Sequence, residues 1–287
     1  MTQILVSGLA MGCIYALVGL GFILIYNATN GLNFAQGEFV MLAAFGFYTA
    51  LATGLPYVAA AAVAVVGMGV VGYVFQRLLF YPLRNRSFLA FIIATIGFSI
   101  FARNLALLVW GPNPLKVPSF FDGHLLRISG VVLAPEHLFI IVATMILLVA
   151  QYLLFFHTDL GRRLRATAQN PAVAELMGIR PQRMIAITFV LSALLTGIAG
   201  TLVAPIFLVD VDMGLALILK SFVAVIIGGF GSIPGAVAGG IIVGLLDILT
   251  AVFISSTYKD AIAFAVLIAF LIARPQGLFG ERVAERV

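Results

Sequence analysis

Nine apolar runs recur along this chain, at about 4–26, 34–53, 57–80, 88–110, 135–157, 185–208, 214–230, 234–254 and 258–273. Most are long enough to cross a hydrocarbon core of about 30 Å at a rise of 1.5 Å per residue. Nothing constrains the fold more. Of the 287 residues, 63% are apolar and only 9% charged, whereas a soluble domain carries roughly 45–50% apolar and about 25% charged residues. Such a chain cannot cover itself with a hydrated surface and needs a bilayer as its solvent. The expected fold is all-α: a polytopic transmembrane helical bundle of about eight or nine helices, one of them short or re-entrant, forming a single domain over 1–287.

The net charge of +5 does not point to nucleic acid, because the basic residues sit beside apolar runs rather than along one polar face. They read as a topology signal. Arg77, Arg84 and Arg86 mark one cytoplasmic connection, and Arg162, Arg163, Arg165, Arg180 and Arg183 mark another at 158–184. Arg274, Arg282 and Arg286 place the C-terminus on the same side. The 111–134 connection balances Lys116 and Arg127 against Asp122, and the loop at Asp210 and Asp212 is acidic, so both are expected outside. Nine crossings then give an external N-terminus and a cytoplasmic C-terminus. The first run lacks a basic start and is read as a retained helix. Cys13 within it is read as a small buried hydrophobe.

The seventh run is the exception. It is short, carries Lys220 and ends in Gly228-Gly229-Phe230-Gly231-Ser232-Ile233-Pro234-Gly235. Glycines and proline at this density disfavour continuous helix. Non-helical backbone at membrane depth survives only where protein or water surrounds it, so a break near a translocation path is expected here. Thr95, Gly97 and Ser99 form a similar small-residue break within the fourth run, and both stretches either line a pore or allow close helix packing.

Charges inside apolar runs cost roughly 2.5–3.5 kcal/mol each at the bilayer centre on insertion scales. Glu38, Arg103, Lys220 and Asp247 should therefore face the bundle interior, a cavity or the interface. Arg77 and Arg103, near segment ends, can snorkel. Lys220 and Asp247 lie deeper and carry opposite charges, which fits either a structural ion pair or a place on the transport path. Glu38 lies one turn into its helix, where its charge meets the helix dipole favourably. Asn33 and Gln36 have the spacing of a capping box, with Asn33 as the N-cap. The same polar helix start could also face a pathway.

The cytoplasmic connection 158–184 carries the most local information. Asn170 is a good N-cap, Pro171 suits the first helical position and Gly178 suits the residue after a helix end. The spacing predicts a two-turn helix over 171–177 that exposes Ala172, Val173, Leu176 and Met177, with Glu175 on the same short element. Two turns do not hold together alone in water and need a partner surface. That surface is either the protein's own cytoplasmic ends or a groove on a cytoplasmic ATPase.

Three stretches, taken in order, resemble the branched-chain amino acid permease family of bacterial ABC importers. The first is Gly31-Leu-Asn33-Phe-Ala-Gln36-Gly-Glu38, where that family commonly has His in place of Gln36. The second is Arg165-Ala-Thr-Ala-Gln-Asn170-Pro-Ala-Val-Ala-Glu-Leu-Met-Gly178-Ile. The third runs from Lys220 through Gly228–Gly235 and continues in Tyr258-Lys259-Asp260 and Arg274-Pro275-Gln-Gly277. The resemblance implies a multi-pass protein of the bacterial inner membrane with no cofactor of its own. It also implies a second permease subunit, two cytoplasmic ATPases and an external binding protein as partners, besides membrane lipid. Asn170 to Gly178 would then be the ATPase-coupling element, and Asn33, Gln36, Glu38, Thr95, Ser99, Lys220, Ser232 and Asp247 the candidate transport path.

Catalytic motifs are missing from the sequence. None of the three lysines follows a glycine, so there is no P-loop of the G-x-x-x-x-G-K-[ST] kind. No G-x-S-x-G or H-E-x-x-H occurs, and His124, His137 and His157 are dispersed. The chain is expected not to be an enzyme on its own. A same-family permease for urea or a short amide, a gradient-driven transporter or channel, and a membrane assembly subunit are the alternatives.

Overall fold

The computed structural model describes residues 1–121, 126–128 and 131–280. Asp122, His124, Arg282, Arg286 and the side chain of Arg127, all used above, lie outside the described residues. Twelve α-helices follow one another: α1 (Thr2–Thr29), α2 (Gln36–Ala52), α3 (Tyr57–Phe75), α4 (Tyr81–Leu83), α5 (Phe88–Trp110), α6 (Pro135–His157), α7 (Asp159–Gln169), α8 (Pro171–Leu176), α9 (Pro181–Val203), α10 (Met213–Gly228), α11 (Ile233–Phe253) and α12 (Lys259–Ala273). A five-residue π-helical segment, Gln76–Phe80, joins α3 to α4 without a break. The only sheet among the described residues is a hairpin, β1 (Leu126–Ile128) antiparallel to β2 (Val131–Leu133).

Seven helices are long and apolar enough to cross a membrane: α1, the composite Tyr57–Leu83, α5, α6, α9, α11 and the composite Ser256–Ala273. With the shorter α2 and α10 the described residues hold nine helical elements in register with the nine apolar runs. Helix starts follow local chemistry. Proline occupies the first turn of α6, α8, α9 and α11, where its missing N–H forfeits no helical bond. α1 ends at Asn30, whose left-handed φ of 52° turns its N–H back to the Tyr26 carbonyl.

Two sets of four helices repeat with opposite sense. α1 runs antiparallel along α11, with Gly8 beside Leu245, Gly12 beside Ile241 and Asn27 beside Gly231. α9 runs antiparallel along α3 in the same manner, with Gly72 beside Phe189 and Gly197 beside Met68. α1 also meets α9, α2 meets α10, and α2 leans on α5 as α10 leans on α12. The segments α1–α5 and α9–α12 therefore form an inverted-topology repeat, an architecture shared by many transporters. The pair α1 and α9 sits at its centre, and α1 is buried over almost its whole length.

Side assignment comes from the basic ends. α7 and α8, with Arg162, Arg163 and Arg165, pack against α6, α9 and the C-terminal part of α1, at the end that also holds Arg77, Arg84 and Arg274. By the positive-inside rule this end is cytoplasmic. The N-terminus of α1 and the Leu115–Val209 bridge lie at the opposite end, outside.

The glycine-rich stretch after α10 departs from expectation in its depth. A break does occur there, with positive φ at Gly229 (110°) and Gly231 (87°), but it lies at the cytoplasmic end. Asn27 of α1 donates to the Gly231 carbonyl at 3.0 Å. The amides of Leu278 and Phe279 donate to the Ile227 and Gly228 carbonyls, each at 2.9 Å, so a strap after α12 satisfies acceptors that a helix end leaves free. The helix starts inside the membrane are those of α2 and α10. They touch at Gly37 and Gly214, where a Cβ on Gly214 would lie 2.5 Å from the Gly37 carbonyl oxygen. Only two glycines permit that backbone approach.

Candidate functional site

Among the described residues, three clusters of polar side chains tie the helices of the bundle together. The first fixes the start of α2. Gln36 donates through Nε2 to Ser192 Oγ (2.8 Å) and Thr196 Oγ1 (2.9 Å), halfway along α9, and its Oε1 accepts from Asn33 Nδ2 (3.2 Å). Ser192 Oγ in turn donates to the Gly21 carbonyl of α1 at 2.7 Å. Asn33 and Gln36 are both fully buried, and every polar arm of Gln36 is engaged. The expected capping box is not formed. Asn33 Oδ1 accepts from Ala35 N, a local Asx turn, and the helix begins at Gln36 itself, after Ala35. The reason is the clasp to α9, which takes the Gln36 amide away from its own helix end. This pair holds α1, α2 and α9 together and presents no free group to a passing solute.

The second cluster joins the two internal helix starts. Glu38, 1% exposed, accepts at Oε1 from Ser99 Oγ (2.7 Å) and Arg103 Nη2 (3.1 Å). Arg103 Nη1 lies 3.4 Å from Asp212, the residue preceding α10. Arg103, its side chain 26% exposed, thus spans from the buried Glu38 to the exposed Asp212, and two fixed acidic partners replace a free reach to the interface. Arg77 stays at the edge, stacked over the Tyr81 ring at 4.7 Å. Thr95, one turn before Ser99, accepts from Phe34 N at 3.3 Å and ties α5 to the link before α2. A Cβ on Gly97 would meet nothing within 4 Å, so Gly97 mediates no close packing in this chain.

In the third cluster Lys220 of α10 donates to Asp247 Oδ1 of α11 at 2.5 Å and pairs with Asp260 of α12 at 3.0 Å. Tyr15 of α1 donates to Asp247 Oδ2 at 2.9 Å. Asp247 and Lys220 are buried, whereas the Asp260 side chain is 61% exposed. Four helices meet at one ion pair. Above it a cleft of about 580 Å³ opens at the external end. Ser232 stands apart from all three clusters, capping α11 by accepting from Gly235 N at 3.2 Å.

Tyr15, Ser192 and Thr196 are absent from the residues picked out by sequence reasoning, and Asp212 and Asp260 entered it only as part of an acidic loop and of a family-like stretch. Ser192 and Thr196 had a readable signal, since with Thr188 they place three hydroxyls one turn apart along α9. Tyr15 and Asp260 did not, because their meaning depends on which helices are neighbours.

At the cytoplasmic end α7 is strongly amphipathic, burying Gly161, Leu164 and Thr167. Its first-turn Asp159 pairs with Arg162, and this hydrogen bond and charge hold its carboxyl below the ordinary range. α8 follows at once. Asn170 caps it by accepting from both Ala172 N (3.1 Å) and Val173 N (3.2 Å), and Gly178 leaves it at φ 78°. Ala174 alone is buried in α8; Val173, Leu176 and Met177 are 53%, 87% and 78% exposed. Asn170→Ala is expected to remove the cap, a loss of about 1 kcal/mol. Amide exchange across 171–177 should rise while the melting temperature of the bundle holds.

An inverted repeat of membrane helices, polar clusters confined to its interior and an exposed apolar element on its cytoplasmic side together define a multi-pass membrane transport subunit. The chain matches, over residues 4–271, the family model described as branched-chain amino acid transport system / permease component, and it belongs to that family. It is 33% identical over 300 aligned positions to the high-affinity branched-chain amino acid transport system permease protein LivH of Escherichia coli K12, covering 99% of this chain and 97% of that one. Identity to the corresponding BraD protein of Pseudomonas aeruginosa is 31%, with the same coverage. The ribose import permease protein RbsC of Escherichia coli is 31% identical over 136 positions, 44% of this chain and 42% of its own. No solved structure matches the chain.

Proposed function

We propose that this permease is the membrane-spanning subunit of an ATP-driven importer of branched-chain or other small apolar amino acids in the bacterial inner membrane. Its partners would be a second permease subunit, two cytoplasmic ATPases and an external binding protein. The observation that carries the ATP-driven reading is α8. A six-residue helix cannot be stable alone, yet this one is capped at both ends and turns Val173, Leu176 and Met177 outward into the cytoplasm, where apolar exposure is costly. That arrangement fits an anchor seated in a groove of another protein. α8 contacts α7 and α9, and α9 touches both α1 and the clasp at Gln36, so a pull on α8 would reach the centre of the repeat. Asn33, Gln36 and Thr95 then act as fixed joints of the path, and Glu38, Ser99, Lys220, Ser232 and Asp247 as groups beside it.

The test is co-expression and co-purification with the P-loop ATPases of its own genome. Wild-type permease is expected to retain an ATPase in detergent. Leu176→Asp combined with Met177→Asp should lose it, and lose transport, with no change in the permease's melting temperature. A wild type that never retains an ATPase would remove the ATP-driven reading in favour of a gradient-driven one.

A further inference from the structure

We infer that the external cleft above Lys220 and Asp247 is a binding station for a free zwitterionic amino acid with an apolar side chain, distinct from any site on the external binding protein. The inference rests on the amino acid import reading and specifies where in the permease the solute is held.

Its floor is ionic and its walls are apolar. Lys220 Nζ sits between two carboxylates, at 2.5 Å from Asp247 and 3.0 Å from Asp260. The two are not equivalent. Asp247 is buried and held from its other oxygen by Tyr15, whereas Asp260 is largely exposed and can turn to water. An α-carboxylate entering from outside would displace Asp260 from Lys220 while leaving the Asp247 pair intact. The incoming ammonium group would then have Asp260, newly released, and Asp210 at the rim as acceptors. Met11, Leu217 and Ile248 line the same space and offer aliphatic surface to a branched side chain. Its volume, about 580 Å³, lies in the range typical of small-molecule sites. Apolar walls with a few convergent charged groups are the usual make-up of such a site.

The head group of an aminated phospholipid shares this zwitterionic chemistry, so the test separates the two sources. Purified permease, without binding protein, is reconstituted in nanodiscs of phosphatidylglycerol and titrated calorimetrically with L-leucine. Saturable weak binding is expected. Leucinamide, lacking the carboxylate, and 4-methylpentanoate, lacking the ammonium, should each bind about tenfold more weakly or worse. The paired substitution Lys220→Met with Asp247→Leu, which removes both charges together, should abolish leucine binding. Ala251→Trp, which fills the cleft without touching the ion pair, should abolish it independently. Absence of leucine binding to the wild type would overturn the inference. So would binding that survives both variants, or binding abolished when phosphatidylethanolamine is included. The same preparations are assayed for ATPase retention and, with binding protein added, for leucine uptake. Uptake without leucine binding would sink the station alone, and loss of uptake as well would sink the import reading with it.

Discussion

Replacing Gly214 by valine is expected to prevent assembly of the bundle. A Cβ there would lie 2.5 Å from the Gly37 carbonyl oxygen and 2.8 Å from its carbon. Both are backbone atoms, so no side-chain rotation can relieve the clash. Overpacking of a close-packed interior costs typically 1–3 kcal/mol, and here two helix starts must separate while each is anchored elsewhere. α2 is held by Gln36 to α9, and α10 by Lys220 to α11 and α12. Gly37→Val should behave in the same way. Gly97→Ala is the matched control, because nothing lies within 4 Å of that position. It should leave stability unchanged or raise it by roughly 0.5–1 kcal/mol through helix propensity. Detergent-extracted yield and melting temperature of the three variants would decide the matter; a Gly214→Val protein as stable as wild type would show that the crossing is not as close as described.

The second large effect is expected at Asp247. Changing it to leucine leaves the buried Lys220 ammonium with only the exposed Asp260, and removing one member of a buried ion pair typically costs 3–5 kcal/mol. It also leaves the Tyr15 hydroxyl without its acceptor. Pairing the change with Lys220→Met removes the stranded charge, and most of the lost stability should return, since well-packed apolar replacements for buried ion pairs are often neutral. Thermal unfolding of the two single variants and the double variant in one lipid environment gives the coupling directly. If the double variant is no more stable than Asp247→Leu alone, the ion pair is not the source of the loss.

The helices were legible in the sequence because each apolar run had to supply its own hydrogen bonding across the bilayer. α8 was legible to the residue at its start, since Asn170, Pro171 and Gly178 act locally. What the sequence concealed was the relation between distant segments. The inverted repeat leaves little sequence likeness to find: Gly37 and Gly214 share the second position of α2 and α10, but Gln36 and Glu38 beside the first glycine are matched by Met213 and Leu215 beside the second. The internal starts of α2 and α10 were hidden for a similar reason. Residues 30–35 resemble an ordinary turn, and only the clasp from Gln36 to Ser192 and Thr196 shows that they reach into the bundle. The position of Arg103 near a helix end gives no hint that Glu38 and Asp212 converge on it.

The near-total burial of α1 has a consequence for how the protein is made. α1 leaves the ribosome first, yet the helices that cover it most closely, α9, α10 and α11, come late in the chain. Until they arrive, its Tyr15 hydroxyl has no Asp247 to meet and its Asn27 amide no Gly231 carbonyl. The first helix is apolar on every side, which lets it wait in lipid without a preferred face. A chain interrupted before α9 would therefore carry a stable first span without its three closest partners, and completeness of translation becomes a condition for burying the centre of the molecule.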